Sequence, residues 1–260
     1  MRAAFYYGWY PEQWAKAGSR YTPVLGRYSS SHQDTINSHI DQMQYAKIDA
    51  GIHSWWGQGS PTDERFQQAL DLAAQKGFKW AIYYEQDYNG QASWYFRVKP
   101  DLKYLRKYFS HPAYLRVNGK PVVFVYNPTS SIKNAAKWVK ARNEFSLYIS
   151  LDDYPEWWIS NPVDAWHGYR PHERIRAVHA DGRIYSIAIS AGFYAAGESA
   201  PRLSRDYEAF KNALGAWKIY PPEWELVYFN EWGEGTGIEP SDAQCEQYLC
   251  SDYLSALRQE

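Results

Sequence analysis

Near the end of the chain, Phe229-Asn230-Glu231-Trp232-Gly233-Glu234-Gly235-Thr236-Gly237 sets two carboxylates three positions apart in a glycine-rich turn. Crowding two acids raises one pKa above the other, so such a pair can divide acid work from base work. One carboxyl group can then protonate a leaving oxygen while the second acts as base or nucleophile, which is what glycoside cleavage requires. A lone Glu-x-x-Glu is more often an acidic turn whose carboxylate caps backbone amides. Position decides between the two: residues 226–229 form an apolar, strand-type run that empties into this turn, and α/β enzymes keep their chemistry in such loops.

The elements that must carry the turn follow from hydrophobic spacing. Strand-type runs occur at 3–9, 52–57, 78–84, 121–126, 145–151, 163–169, 184–190 and 226–229. Between them, apolar residues recur at three- and four-residue spacing: Ile36, Ile40, Met43, Ala46 and Ala50, then Phe66, Leu70, Ala73 and Ala74. Further helices are expected from Pro100, over 135–141, as a short piece over 173–178, and over 206–217. Ser241-Asp242 reads as the cap of a last helix bearing Leu249, Tyr253, Leu254 and Leu257. Eight strand–helix alternations with no linker predict a single (β/α)8 barrel domain over 1–260. The rival is a doubly wound open sheet, but Gly8-Trp9-Tyr10-Pro11 after the first strand is no nucleotide-binding loop.

A barrel brings the C-terminal ends of its strands to one mouth. Those ends carry Tyr7 and Trp9, Trp55 and Trp56, Glu85 and Asp87, Tyr126 and Asn127, Asp152 and Asp153, His167 and Tyr169, and Asn230 to Glu234. This is a cup of aromatics and carboxylates with no metal-ligand character, so neither metal nor cofactor is expected. Glu231 and Glu234 are the candidate catalytic pair. Tyr7, Trp9, Trp56, Glu85, Tyr126, Asn230 and Trp232 are the candidate substrate-binding residues. Asp152-Asp153 could equally be a turn, His167 reads as a hydrogen-bonded barrel residue, and Trp157-Trp158 as packing. No serine has a Gly-x-Ser-x-Gly setting.

Bulk properties narrow the partners. With 28 Lys+Arg against 29 Asp+Glu, no basic surplus exists to meet nucleic acid. Aromatic content is 18%, with 13 Trp and 24 Tyr. Much of this excess serves as core, but flat faces with a polar edge also suit sugar rings, and an oligosaccharide or polysaccharide is the expected partner. No apolar run is long enough for a membrane helix, and the N-terminus lacks the apolar segment of a signal peptide. The expectation is a soluble monomer, either cytoplasmic or secreted with its leader removed. Cys245 and Cys250 are read as free thiols, because five residues apart on one helix they point in different directions.

Several motifs together resemble one family. Residues 229–239 look like the signature of glycoside hydrolase family 99, the endo-α-mannosidases and endo-α-mannanases. Phe5-Tyr6-Tyr7-Gly8-Trp9-Tyr10, Tyr28-Ser29-Ser30-Ser31, Ser54-Trp55-Trp56-Gly57 and His111-Pro112-Ala113 resemble further segments of that family in the same order. The resemblance implies a (β/α)8 barrel and retaining, metal-free hydrolysis of an internal α-mannosidic bond. It implies that Glu231 deprotonates the sugar 2-hydroxyl, giving an epoxide-like intermediate, and that Glu234 is general acid and then base. Tyr7, Trp56 and Glu85 match positions lining the family's sugar site. Three departures stand out: Gly237 where the family usually has Gln, Gly8 where it has a larger residue, and Glu85-Gln86-Asp87-Tyr88 where Glu-Pro-Tyr is usual. The WbsX-like proteins of polysaccharide gene clusters share an Asn-Glu-Trp-x-Glu-Gly segment, so a biosynthetic transferase is the second reading. A non-catalytic carbohydrate-binding barrel is the third.

Overall fold

The computed structural model describes residues 1–16, 18–87, 90–126, 132–152, 163–242 and 252–260. Strand β1 (Arg2–Tyr6) is followed by helices α1 (Glu12–Lys16) and α2 (Gln33–Tyr45), then β2 (Ala50–Trp55), α3 (Pro61–Lys76) and β3 (Lys79–Tyr84). A π-helical turn, Trp94–Val98, leads into α4 (Lys99–Phe109). The short β4 (Arg116–Val117) folds back on β5 (Lys120–Val125), and α5 (Ile132–Phe145) precedes β6 (Tyr148–Asp152). The remainder holds β7 (Ala165–His167), β8 (Ile175–Ala180), β9 (Arg183–Ile189), α6 (Tyr207–Ile219), β10 (Trp224–Tyr228) and α7 (Asp252–Gln259).

Hydrogen bonding orders the sheet β7-β6-β5-β3-β2-β1-β10-β9-β8, and every pair from β7 through to β9 is parallel. Strand β9 also lies beside β7, so the ends of the parallel run approach each other in a nearly closed barrel. A doubly wound sheet would reverse its winding at one point. Here each parallel strand sits next to its successor along the chain, and the (β/α)8 architecture holds.

Aromatic rings fill the barrel. Phe5 on β1 lies 5.0 Å from Tyr83 on β3 and 5.4 Å from Tyr228 on β10, and Phe124 on β5 lies 5.2 Å from His167 on β7. Strands buried on both faces read as continuous apolar runs, as β1 and β5 do. Outside, α2 buries Ile36, Ile40 and Met43. Helix α3 starts at Ser60, whose side chain accepts the Asp63 N–H, and stops at Gly77 in the left-handed region. Asp206 caps α6 by accepting the Ala209 N–H.

One expected element is different. Residues 173–178 do not form a helix; 175–180 are strand β8, antiparallel to β9. Its residues alternate in burial, and Asp181 and Gly182 both take positive φ, 52° and 72°, as a two-residue hairpin turn needs. The sixth strand of the barrel, β7, is therefore joined to the seventh, β9, through a hairpin arm, not a helix. Strand and helix ends otherwise fall within a few residues of the spacing-based limits. Asn127, Asp153, Trp157, Trp158, Cys245, Leu249 and Cys250 lie outside the described residues. So does the start of the last helix; Asp242 accepts the N–H of Thr22.

Candidate active site

Parallel strands carry their C-terminal residues to one end, and there the carboxylate turn is built against β1. The N–H of Tyr7 donates to Asn230 Oδ1 at 2.8 Å, and Asn230 Nδ2 donates to Tyr7 O at 3.0 Å. Tyr10 donates its hydroxyl to Asn230 O at 2.8 Å and accepts the Trp232 N–H at 3.1 Å. The N–H of Thr236 closes the turn on Glu231 O at 3.0 Å. From the far side, the guanidinium of Arg205 donates to Gly235 O and Gly237 O, both at 2.8 Å.

This scaffold leaves Glu231 only 4% exposed. Burial first, and then the charge of Glu234, hold its carboxyl well above the ordinary range, opposed by backbone N–H groups of Glu234 and Gly233. Burial likewise pushes Glu234 up to about 7, opposed by the charge of Arg202. Two acids this close, one buried and one half-buried, share protons, and they titrate as a pair. Glu234 Oε2 is buried without a hydrogen-bond partner among the described residues.

A third acid completes the mouth. Glu85, at the end of β3, is buried and raised to about 8 by burial, with Asp152 and Glu234 adding to the shift. Its Oε1 accepts from Ser54 Oγ at 2.8 Å, and Ser54 Oγ in turn accepts the indole N–H of Trp56 at 2.9 Å. Tyr7 shares a short hydrogen bond with Tyr169, its ring lies 4.6 Å from that of Trp9, and Trp9 lies 6.2 Å from Trp56. Trp9, Trp56, Glu231, Gly233 and Glu234, with Glu12, Gln13 and Lys16 of α1 and residues 60–62, line a cleft of about 570 Å³.

The expected residues separate into two groups. Glu231, Glu234, Trp9 and Trp56 face this cleft. Beyond the effect of burial, Glu231 lies close enough to raise the pKa of Tyr7, and Glu85 close enough to raise that of Glu231. Tyr126 is half-buried on the rings of Tyr83 and Tyr169, 5.7 and 5.6 Å away. Asn230 and Trp232 are fully buried behind the carboxylates, with the Trp232 indole N–H on Glu239 Oε2 at 2.9 Å. Asp87 is fully buried against Lys137 and Trp138 at 2.6 and 2.7 Å. Asp152 accepts the Tyr169 N–H at 2.9 Å, and His167 pairs with Ser150 at 3.0 Å inside the barrel. Helix α1, whose residues also line the cleft, is not among the elements that hydrophobic spacing predicts; Pro11 ahead of it is the local signal for its start. Among the described residues, no group of three or more His, Cys, Asp or Glu side chains could hold a metal ion.

Gly8 and Gly237 sit where there is no room for a side chain. A Cβ on Gly8 would meet His53 Nε2 at 2.5 Å, and one on Gly237 would meet Phe229 O at 2.9 Å. Buried His53 fills the space beside Gly8, and the turn packs its own backbone over Gly237.

A barrel with buried carboxylates and indoles at the C-terminal ends of its strands has the form of a carbohydrate-active enzyme. The model of Glycosyl hydrolase family 99 matches residues 12–200, and the chain belongs to that family. A glycoprotein endo-alpha-1,2-mannosidase-like protein of Mus musculus is 30% identical over 91% of this chain and 62% of its own length. The Homo sapiens protein of the same description is 29% identical over 91% of this chain and 61% of its own length. This chain thus spans about six tenths of the length of these relatives. Among solved structures, the GH99 endo-alpha-mannosidase of Bacteroides thetaiotaomicron, in complex with BIS-TRIS-propane, superposes with a TM-score of 0.72 at 21% identity. It covers 99% of this chain and 95% of its own, a likeness of fold. Among the described residues, no helix is long and apolar enough to cross a membrane.

Proposed function

We propose that the chain, as one catalytic domain, is a retaining, endo-acting glycosidase that cleaves an α-mannoside or similar linkage within a glycan and needs no metal. The observation that carries this reading is the pair of carboxyls in one turn, buried Glu231 and half-buried Glu234, beside the indoles of Trp9 and Trp56. The family match ends at residue 200, before this turn, so the roles rest on the turn's geometry and its likeness to the family signature.

The reaction needs one proton on the pair. Glu231, ionised, takes the proton of the sugar 2-hydroxyl, and that oxygen attacks the anomeric carbon. The bond to the leaving oxygen breaks as Glu234 delivers its proton, giving a 1,2-anhydro sugar. Glu234 then takes a proton from water, which attacks the anomeric carbon; the three-membered ring opens, and Glu231 returns its proton to the 2-oxygen. Two inversions leave the anomeric configuration retained. Glu85, protonated near neutrality, is a donor for a sugar hydroxyl, and Tyr7, Trp9, Trp56 and Tyr126 supply ring faces and hydroxyls. Asn230 and Trp232 act from behind.

The test is hydrolysis of α-mannans and bacterial polysaccharides by the wild type, Glu231→Gln and Glu234→Gln, with product anomers followed by NMR. Loss of about 10²- to 10⁴-fold in each variant is expected. Full activity in both variants on a substrate that the wild type cleaves would sink the assignment. Binding of sugar nucleotides without hydrolysis would favour the transferase reading, and tight glycan binding without turnover the non-catalytic one.

A further inference from the structure

We propose that Glu239 is a positioning residue that fixes Glu231 through both of its chain neighbours, an inference that rests on the glycosidase reading above. Glu239 is fully buried. Its Oε2 accepts the indole N–H of Trp232 at 2.9 Å and the hydroxyl of Tyr28 at 2.7 Å. The Tyr28 oxygen in turn accepts from Asn230 Nδ2 at 3.2 Å. Asn230 and Trp232 are the residues on either side of Glu231. One is tied to Glu239 through Tyr28 and the other directly, so a single oxygen anchors the backbone before and after the proposed base.

The other oxygen anchors the carboxylate itself. Glu239 Oε1 lies 3.1 Å from His39 Nε2 on α2, and His39 Nδ1 lies 3.0 Å from the hydroxyl of Tyr6 on β1. Both rings and the carboxylate are buried. A buried carboxylate is costly unless donors surround it, and here donors reach it from the segment before α2, from α2 and from the turn itself. The network lies behind the cleft, so Glu239 acts through Glu231 and not on substrate. Placement matters because a shift of about 1 Å at a reacting group costs about 100-fold in rate.

The experiment uses the full chain with Tyr28→Phe, Glu239→Gln and Glu239→Leu. Tyr28→Phe removes one hydroxyl from a ring that otherwise keeps its packing, and folding is checked by thermal melting. Its kcat is expected to fall about 10-fold or more with KM within about 3-fold, as loss of a transition-state arrangement requires. Glu239→Gln keeps an oxygen within reach of both Trp232 and Tyr28, so it is expected to retain at least about 10-fold more activity than Glu239→Leu. In parallel, the Glu231 carboxyl is titrated by NMR on carboxyl-labelled glutamate, its signal assigned by loss in Glu231→Gln. The Glu231 titration is expected to move in Tyr28→Phe and to move less in Glu239→Gln than in Glu239→Leu. If Tyr28→Phe melts earlier yet keeps wild-type kcat and an unmoved Glu231 titration, the network only stabilises the fold and the proposal is overturned. If the wild type cleaves no glycan, the glycosidase reading alone fails, and the titration still decides whether this network holds Glu231.

Discussion

The backbone N–H of Glu234 donates to Glu231 Oε1 at 3.3 Å, so the residue that supplies the second carboxyl also solvates the first. The two acids cannot titrate independently in this arrangement. Burial raises both, and the charge of Glu234 raises Glu231 further. The proposed reaction starts from the state with one proton between them.

A bell-shaped dependence of kcat/KM on pH is therefore expected. Activity falls on the acid side as the pair takes a second proton. It falls on the alkaline side as the last proton leaves, at or above the value of about 7 to which Glu234 is raised. Measuring kcat/KM on an α-mannan oligosaccharide between about pH 4 and 9 checks this. A rate that climbs steadily through the alkaline range would contradict a protonated Glu234 as general acid.

Glu85 makes a separate prediction about stability. Its folded pKa of about 8 lies above the ordinary 4.5, so the folded state binds its proton more tightly than the unfolded one. Stability from this group is fully present below about 4.5 and is lost as pH rises through about 8. The melting temperature should fall by at least about 4 °C across that window, and Glu85→Gln should flatten the fall. An equal slope in the variant would show that Glu85 is not the group responsible.

Much of this site could be read from the chain because its logic is local. Period and punctuation mark the strands, and a carboxylate pair after an apolar run marks the mouth. What escaped was set by distant partners. Asn230 and Trp232 border Glu231 in sequence, but their destinations depend on Tyr7, Tyr28 and Glu239, with Tyr28 more than 200 positions away from Asn230. The hairpin of β8 and β9 escaped for another reason. Polar residues on the exposed side of 175–180 masked the alternation, while Asp181-Gly182, a strong local turn signal, went unread.

Two glycine substitutions should move stability in opposite directions. At Gly237 a Cβ would sit 2.9 Å from a backbone oxygen that also accepts the Glu239 N–H, so the turn must shift to admit it. Gly237→Ala is expected to cost about 1–3 kcal/mol. Gly215 lies within α6, where a Cβ meets nothing within 4 Å and φ is negative-side helical. Gly215→Ala is expected to stabilise by about 0.5–1 kcal/mol. Urea denaturation of both variants decides, and a tolerated alanine at 237 would mean that the turn has slack.

Asp87 follows β3 two residues after Glu85, yet its environment is that of a structural acid. Oδ1 accepts from Lys137 Nζ at 2.6 Å and from the Ala92 N–H at 2.8 Å, and Oδ2 accepts the Trp138 indole N–H at 2.7 Å. The carboxylate thereby joins the loop after β3 to α5. Lys137 also donates to Gly90 O and Ala92 O, so its ammonium stays in place when the carboxylate is removed. Asp87→Ala should leave a buried cation without its counter-charge and cost about 3–5 kcal/mol. Lys137→Met in the same background removes that cation and should recover part of the loss. Denaturation of the single and double variants measures the coupling. Catalysis separates the two acids of this strand end: the folded fraction of Asp87→Ala should keep its kcat, because Asp87 is fully buried against Lys137 and Trp138 and does not line the cleft. A loss of kcat in a fully folded Asp87→Ala protein would instead place this carboxylate in the chemistry.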